Sequence, residues 1–302
     1  MKRKCILINE KNVTVFLFLL PSLSIFIIFV ALPVIQSARY SLYNWNGLGP
    51  LIDYVALSNY RELAKDPIFW KALLHNIILL VASLATQLPL GVFLAILLTE
   101  KLRGTTFFRT IYFSPMILSD VVIGILWSFM YNPIFGLINT GLKALGLGHL
   151  ARGWLGDPVL VLPAVIAVIC WKYTGFYMVL FMAAIQNIPE ELYEAARIDG
   201  ASGWQLTCYI TLPLLMSTAR VAAVLSMVGS LKYFDLIWVM TLGGPSHASE
   251  LVATYMYKHA FQRFNWGYGS SLAFALFLIA FVVAIFFIRG TMRVERVKTA
   301  AI

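Results

Sequence analysis

Residues 159–185 read VLVLPAVIAVICWKYTGFYMVLFMAAI, an apolar run broken by a single charge, Lys172. A membrane-spanning helix needs about 20 mainly apolar residues, and this run exceeds that length. Five further runs qualify, at roughly 13–35, 72–98, 111–131, 213–240 and 269–288. The whole chain carries the same signature: 302 residues, 60% hydrophobic, 12% charged, mean hydropathy +0.82. A soluble domain runs at about 45–50% apolar and about 25% charged, so disorder, a fibrous repeat and an ordinary soluble enzyme are excluded. Continuous apolar runs, instead of short alternating segments, also exclude a β-barrel. The expected fold is an all-α membrane protein of six transmembrane helices. No Pro/Ser-rich linker divides it, so residues 1–302 are expected to form one membrane domain.

Basic residues set the orientation, because they gather on the cytoplasmic side of membrane spans. With the N-terminus inside, the inner segments carry twelve Lys and Arg: Lys2, Arg3, Lys4, Lys11, Lys101, Arg103, Arg109, Arg197, Arg289, Arg293, Arg296 and Lys298. The outer segments 36–71, 132–158 and 241–268 carry eight in a greater length. Both termini are therefore expected in the cytoplasm. Trp45, Trp70, Trp154 and Trp266 fall near span ends on the outer side, where interfacial tryptophans belong. The net charge of +9 is then a membrane signature, and no nucleic-acid partner is expected. The first run exceeds a signal-peptide core and lacks an A-x-A-like cleavage site, so it reads as an uncleaved span. Cys5, Cys170 and Cys208 form no CxxC pair and read as small apolar residues.

Catalytic signatures are missing. None of the 20 glycines precedes a lysine, so no phosphate-cradling G-x-x-x-x-G-K-[ST] loop exists and the chain holds no ATP by that chemistry. The four histidines show no H-E-x-x-H, and no metal site or catalytic residue is expected. A channel or secondary carrier would show rows of intramembrane carboxylates or a pore loop, and neither is present.

The loop between spans four and five, residues 186–212, carries the most specific pattern. Asn187 stands where it can cap a helix, with Glu190 as its capping-box partner. Glu190 and Glu191 suit the positive end of that helix, and Leu192, Ala195 and Ala196 share one face at i, i+3, i+4. Glu194-Ala195-Ala196 is followed after three residues by Gly200, after nine more by Ile210, then by Leu212-Pro213. This resembles the EAA loop of binding-protein-dependent ABC importer permeases. Phe18-Leu19-Leu20-Pro21-Ser22, Tyr43-Asn44-Trp45-Asn46-Gly47, the run Phe234 to Thr241 before Gly243-Gly244-Pro245, and Phe264 to Gly269 resemble the carbohydrate-uptake subgroup of maltose and glycerol-3-phosphate type. The likeness covers nearly the whole chain. Ala56, where glycine is common, and Asp120 inside span three depart from it.

The resemblance implies a type I ABC importer permease of a prokaryotic cytoplasmic membrane. Its partners would be a second, homologous permease, two ATP-binding subunits that use ATP and Mg²⁺, an extracytoplasmic solute-binding protein, membrane lipid and a sugar substrate. This chain would bind no cofactor. Coupling to the ATPase would rest on Glu190, Glu191, Tyr193, Glu194, Ala195, Ala196, Asp199 and Gly200, with Glu194 contacting the ATPase and Gly200 making the turn. Permeases for amino acids or other small polar solutes share this loop and remain alternatives.

Sugars are held by aromatic rings against C–H faces and by polar groups that satisfy hydroxyls. Trp171, Lys172, Tyr173 and Phe176 in span four, and Ser226, Gly229, Ser230 and Tyr233 in span five, supply such groups at mid-membrane depth. The second set runs i, i+3, i+4, i+7 along one helical face. Close helix packing, which favours Gly and Ser, is the competing explanation, while in maltose-type relatives the sugar site draws on these two helices. Charges in spans cost about 2.5–3.5 kcal/mol each on insertion scales. Arg220 is expected to snorkel, Lys232 and Asp235 to pair at i, i+3, and Lys172 to meet Asp120 inside the bundle.

Overall fold

A computed structural model describes the backbone of residues 10–99 and 104–299 and the side chains of 14–99 and 104–290. Cys5, Lys2, Arg3, Lys4, Lys101 and Arg103 lie outside the described residues, as do the side chains of Lys11, Arg293, Arg296 and Lys298. Within them the chain is helical, with one isolated bridge between Tyr43 and Tyr54. The helices are α1 (Glu10–Phe26), α2 (Leu32–Tyr40), α3 (Ser58–Lys65), α4 (Pro67–Thr99), α5 (Thr105–Ile117), α6 (Asp120–Met130), α7 (Leu137–Ala144) and α8 (Val161–Gln186). They continue as α9 (Glu190–Ile198), α10 (Gly203–Leu206), α11 (Leu212–Leu231), α12 (Asp235–Thr241), α13 (Val252–Tyr257) and α14 (Trp266–Thr299). Turns of π-helix join α1 to α2 and α10 to α11.

Five stretches are long and apolar enough to cross a membrane: Thr14–Tyr40, Pro67–Thr99, Val161–Gln186, Gly203–Leu231 and Trp266–Gly290. The sixth is a bent pair, α5 and α6, meeting at 101°. The span expected over 111–131 is therefore present as two helices and not one, and local chemistry contributes to the break. Leu118 is extended, at φ −74° and ψ 144°, and Ser119 caps α6, its Oγ accepting from Val121 N at 3.3 Å. Ser119-Asp120 is an N-terminal signal hidden inside an apolar run. The continuous helix expected over 213–240 is also wrong, because α11 stops at Leu231. The buried side chain of Asn76 in α4 donates to the carbonyls of Ser230 and Leu231, both at 2.9 Å, and accepts from Val252 N at 3.0 Å. A buried amide that satisfies the last carbonyls of α11 gives those groups a partner other than a continuing helix.

Residues 1–65 and 257–275 form one compact unit, and 66–256 with 276–302 the other. In the first, Asn59 Nδ2 donates to Ser41 O (2.8 Å) and Tyr43 O (3.0 Å), pinning the loop after α2 to α3. Gly267 N donates to Trp45 O at 3.0 Å at the start of α14. In the second, α8 is the buried axis, packed against α4, α5, α11 and α12. Gly175 lets it touch α5: a Cβ there would collide with the backbone carbonyl of Tyr112. Gly91 does the same for α4, where a Cβ would stand 2.9 Å from that of Tyr177. Cys170 is buried in this core and Cys208 is half-buried, as their small apolar character suggests.

Candidate functional site

A cavity of about 310 Å³ opens within the second unit. α8 contributes Tyr173, Phe176 and Tyr177 to its wall; α11 contributes Ser226, Gly229 and Ser230; α4 contributes Ser83 and Gln87. Lys232, Tyr233 and Asp235 come from the connection after α11 and the start of α12. Six of the eight sequence-predicted pocket residues thus line one cavity. The stripe geometry was wrong in one respect: Tyr233 follows the end of α11, so it reaches the wall from the loop and not as i+7 of the helix. Gly229 has nothing within 4 Å of the position a Cβ would take. Within this chain, therefore, no neighbouring helix packs against Gly229.

Trp171 and Lys172 are not on that wall. Trp171 faces a separate groove between α4, α5 and α8 and lies edge-on to Trp127 at 5.4 Å. Lys172 is buried, its Nζ 2.7 Å from Asp120 Oδ1 and donating to Leu118 O at 3.2 Å. The expected meeting of Lys172 and Asp120 is therefore realised, and the ammonium is committed to the break in span three. Tyr233 OH donates to the same Asp120 oxygen at 3.3 Å, and its ring meets Tyr173 edge-on at 6.2 Å. Lys172 and Asp120 together thus link the end of α5, the start of α6, the centre of α8 and the cavity wall. The expected pairing of Lys232 with Asp235 is not found among the described ion pairs, since α11 ends before Lys232 and the two no longer share a helix. Arg220 is half-buried on α11.

Sequence reasoning missed Gln87, Ser83, Tyr177 and the cavity role of Lys232 and Asp235. Ser83 and Gln87 were detectable as polar residues at i, i+4 inside an apolar span, where an amide needs a partner; Gln87 Nε2 donates to Ser83 Oγ at 3.3 Å.

The loop after α8 is helical, as expected, but capped differently. Asn187 is the C-cap of α8 and donates to Ala183 O at 2.8 Å, while α9 starts after Pro189 without a side-chain cap. The capping box occurs one helix later, between Ser202 and Gln205 at the start of α10. Gly200 makes the turn at φ +84°, with Gly200 N donating to Arg197 O and Ala201 N to Ala196 O. That is the Schellman arrangement, in which a left-handed residue closes the helix and satisfies its last carbonyls. The inward side of α9 is Tyr193 and Ala196, not Leu192 and Ala195. Tyr193 OH shares a 2.9 Å hydrogen bond with Thr211 Oγ1, fixing α9 against the start of the next span. Glu190, Glu191, Glu194, Ala195 and Asp199 are exposed. Leu192, Ile198, Trp204 and Tyr209 are exposed as well, the last three above 75%. Asp199, Gly200, Ala196 and Tyr209 border a small hollow of about 230 Å³.

Apolar spans, a buried central helix, two broken neighbours and a polar, aromatic-walled cavity define a multi-pass membrane permease. The chain belongs to the family of binding-protein-dependent transport system inner membrane components, which matches residues 87–292. It is 43% identical over 271 residues to a probable ABC transporter permease of Pyrococcus horikoshii, covering 90% of this chain and 93% of that one. It is 36% identical over 286 residues to the diacetylchitobiose uptake system permease of Streptomyces coelicolor, covering 90% and 81%. A chain of a bacterial ABC transporter involved in import of the acidic polysaccharide alginate superposes with a TM-score of 0.82 at 25% identity, covering 94% of this chain and 96% of that one. The protein is an inner-membrane, multi-pass permease of ABC importer type.

Proposed function

We propose that this permease forms, with a second homologous permease, the translocation path of an ATP-driven importer for a sugar or oligosaccharide. The observation that carries the reading is the cavity between α8, α11 and α4, whose wall combines aromatic rings with hydroxyl and amide groups. Tyr173, Phe176 and Tyr233 offer faces and edges to sugar C–H groups; Ser230 and Gln87 offer hydrogen bonds to hydroxyls. The relatives named for sugar uptake support the substrate class.

Energy would enter through α9. Its exposed carboxylates, with Ile198, Trp204 and Tyr209, make a surface of mixed charge and large apolar groups suited to a protein partner. Two ATP-binding subunits, using ATP and Mg²⁺, would dock there from the cytoplasm, and an extracytoplasmic solute-binding protein would deliver the sugar. In this scheme the chain binds no cofactor and hydrolyses nothing; its work is to convert a push on α9 into a change at the cavity. The Tyr193–Thr211 bond supplies a direct mechanical link, because Thr211 immediately precedes α11, a wall of that cavity.

The test is reconstitution of the complete transporter in proteoliposomes, with sugar uptake and ATP hydrolysis read together. Sugar-dependent hydrolysis that is lost in Gly200→Trp, with the complex still assembled, is the expected result. Normal uptake by Gly200→Trp overturns the coupling role, and uptake of no sugar overturns the substrate class.

A further inference from the structure

Resting on the sugar reading above, we propose that this chain's half of the cavity selects neutral, unphosphorylated sugars and rejects uronic acids and sugar phosphates.

The charges of the wall balance. Lys232 and Asp235 both line the cavity. Beside Tyr233 of the wall, Lys172 and Asp120 cancel one another through their 2.7 Å ion pair. An ammonium held that tightly, and donating also to Leu118 O, has no spare charge to offer a ligand. Among the described lining residues there is no arginine, the side chain that grips carboxylate and phosphate in bidentate fashion. Any anion admitted to this wall meets Lys232 and Asp235 together, and the attraction of one is opposed by the repulsion of the other. An anion must also shed water to enter, a cost that a nearby cation or several converging hydrogen-bond donors must offset.

The remaining groups favour a neutral polyol. Tyr233 OH points to Asp120, so its ring, with the edge-on Tyr173, is the surface left for contact. Ser230 and Gln87 can both donate and accept, which matches a hydroxyl.

The experiment measures equilibrium binding of radiolabelled probes to the complete transporter in lipid nanodiscs without its solute-binding protein, which removes that subunit's own selection. The probes are maltose, cellobiose, lactose and diacetylchitobiose as neutral sugars, with digalacturonate and glucose 6-phosphate as anions. The wild type is expected to bind at least one neutral sugar and to bind both anions at least about tenfold more weakly, a modest effect for one opposing close charge in a desolvated contact. Asp235→Asn leaves Lys232 unbalanced and is expected to raise the ratio of anion to neutral binding by about tenfold, while Lys232→Gln lowers it. Anions that bind the wild type as tightly as the neutral sugars, or a ratio that Asp235→Asn and Lys232→Gln both leave unmoved, overturn the inference and leave the sugar reading standing. Binding of none of the six probes removes the sugar reading and this inference with it.

Discussion

Lys172 Nζ, at the centre of α8, stands 2.7 Å from Asp120 Oδ1, the first residue of α6, and also donates to the carbonyl of Leu118 just before the break. A single ammonium therefore satisfies both sides of the 101° bend in span three. Lipid could not do so, because hydrocarbon offers no partner to an open carbonyl or a carboxylate. The bend and the buried charge explain each other.

Removing one member of a buried pair strands the other, which costs about 3–5 kcal/mol. Lys172→Met is expected to fall near the lower bound, since Asp120 retains 23% exposure. Lys172→Met/Asp120→Asn should regain more than half of the loss. Thermal unfolding of the purified complex measures both, and equal damage in single and double variants removes the coupling.

Gly200 is the only turn residue of the loop that the backbone conformation demands, at φ +84° with open space around it. A side chain there meets left-handed strain of about 1–2 kcal/mol, not a clash. Gly200→Val should lower sugar-stimulated ATP hydrolysis with normal assembly, whereas Gly200→Asn, which tolerates that conformation, should keep most of it. Parallel hydrolysis assays on both variants decide this, and equal loss in both contradicts a conformational role.

Two helix glycines should behave oppositely. Gly175→Ala drives a methyl into the Tyr112 carbonyl and should cost about 1–3 kcal/mol as overpacking, seen as lower yield and melting temperature. Gly229→Leu meets open space at its Cβ on the cavity wall and should leave yield unchanged while filling the cavity and suppressing uptake. Uptake in vesicles beside size-exclusion profiles separates the two, and a loss of assembly in Gly229→Leu returns that position to helix packing.

Tyr233→Phe removes the 3.3 Å bond to Asp120, worth about 1 kcal/mol, and should reduce uptake by roughly fivefold. Trp171→Ala touches the other groove and should leave uptake by a saturated binding protein unchanged. Initial uptake rates across a substrate titration test both, and equal losses would put Trp171 back on the cavity wall.

Span four, the loop after it and most of the cavity residues were legible in sequence because each depends on local pattern. Hydropathy over some twenty residues identifies a span without knowledge of its neighbours, and the Ala196–Gly200–Ala201 closure of α9 is set by one glycine and its adjacent backbone. Of the features that depend on a partner distant in the chain, the meeting of Lys172 with Asp120 was anticipated, whereas the places where helices end were not. α11 stops at Leu231 because Asn76, 155 positions earlier, takes its carbonyl. α5 and α6 part at Leu118, where Ser119 caps α6 locally and Lys172, 54 positions later, takes the open carbonyl. Hydropathy scores both stretches as continuous spans, since a hydrogen bond from another helix leaves no trace in the local run. The sequence by itself therefore determined that this chain lives in a membrane, which family it resembles and where the glycine turn after α9 lies. Only the tertiary structure decided which spans break, and with that which charges face the cavity and which are already paired. In a low-dielectric interior, each open backbone group and each charge must find its partner wherever the fold brings one.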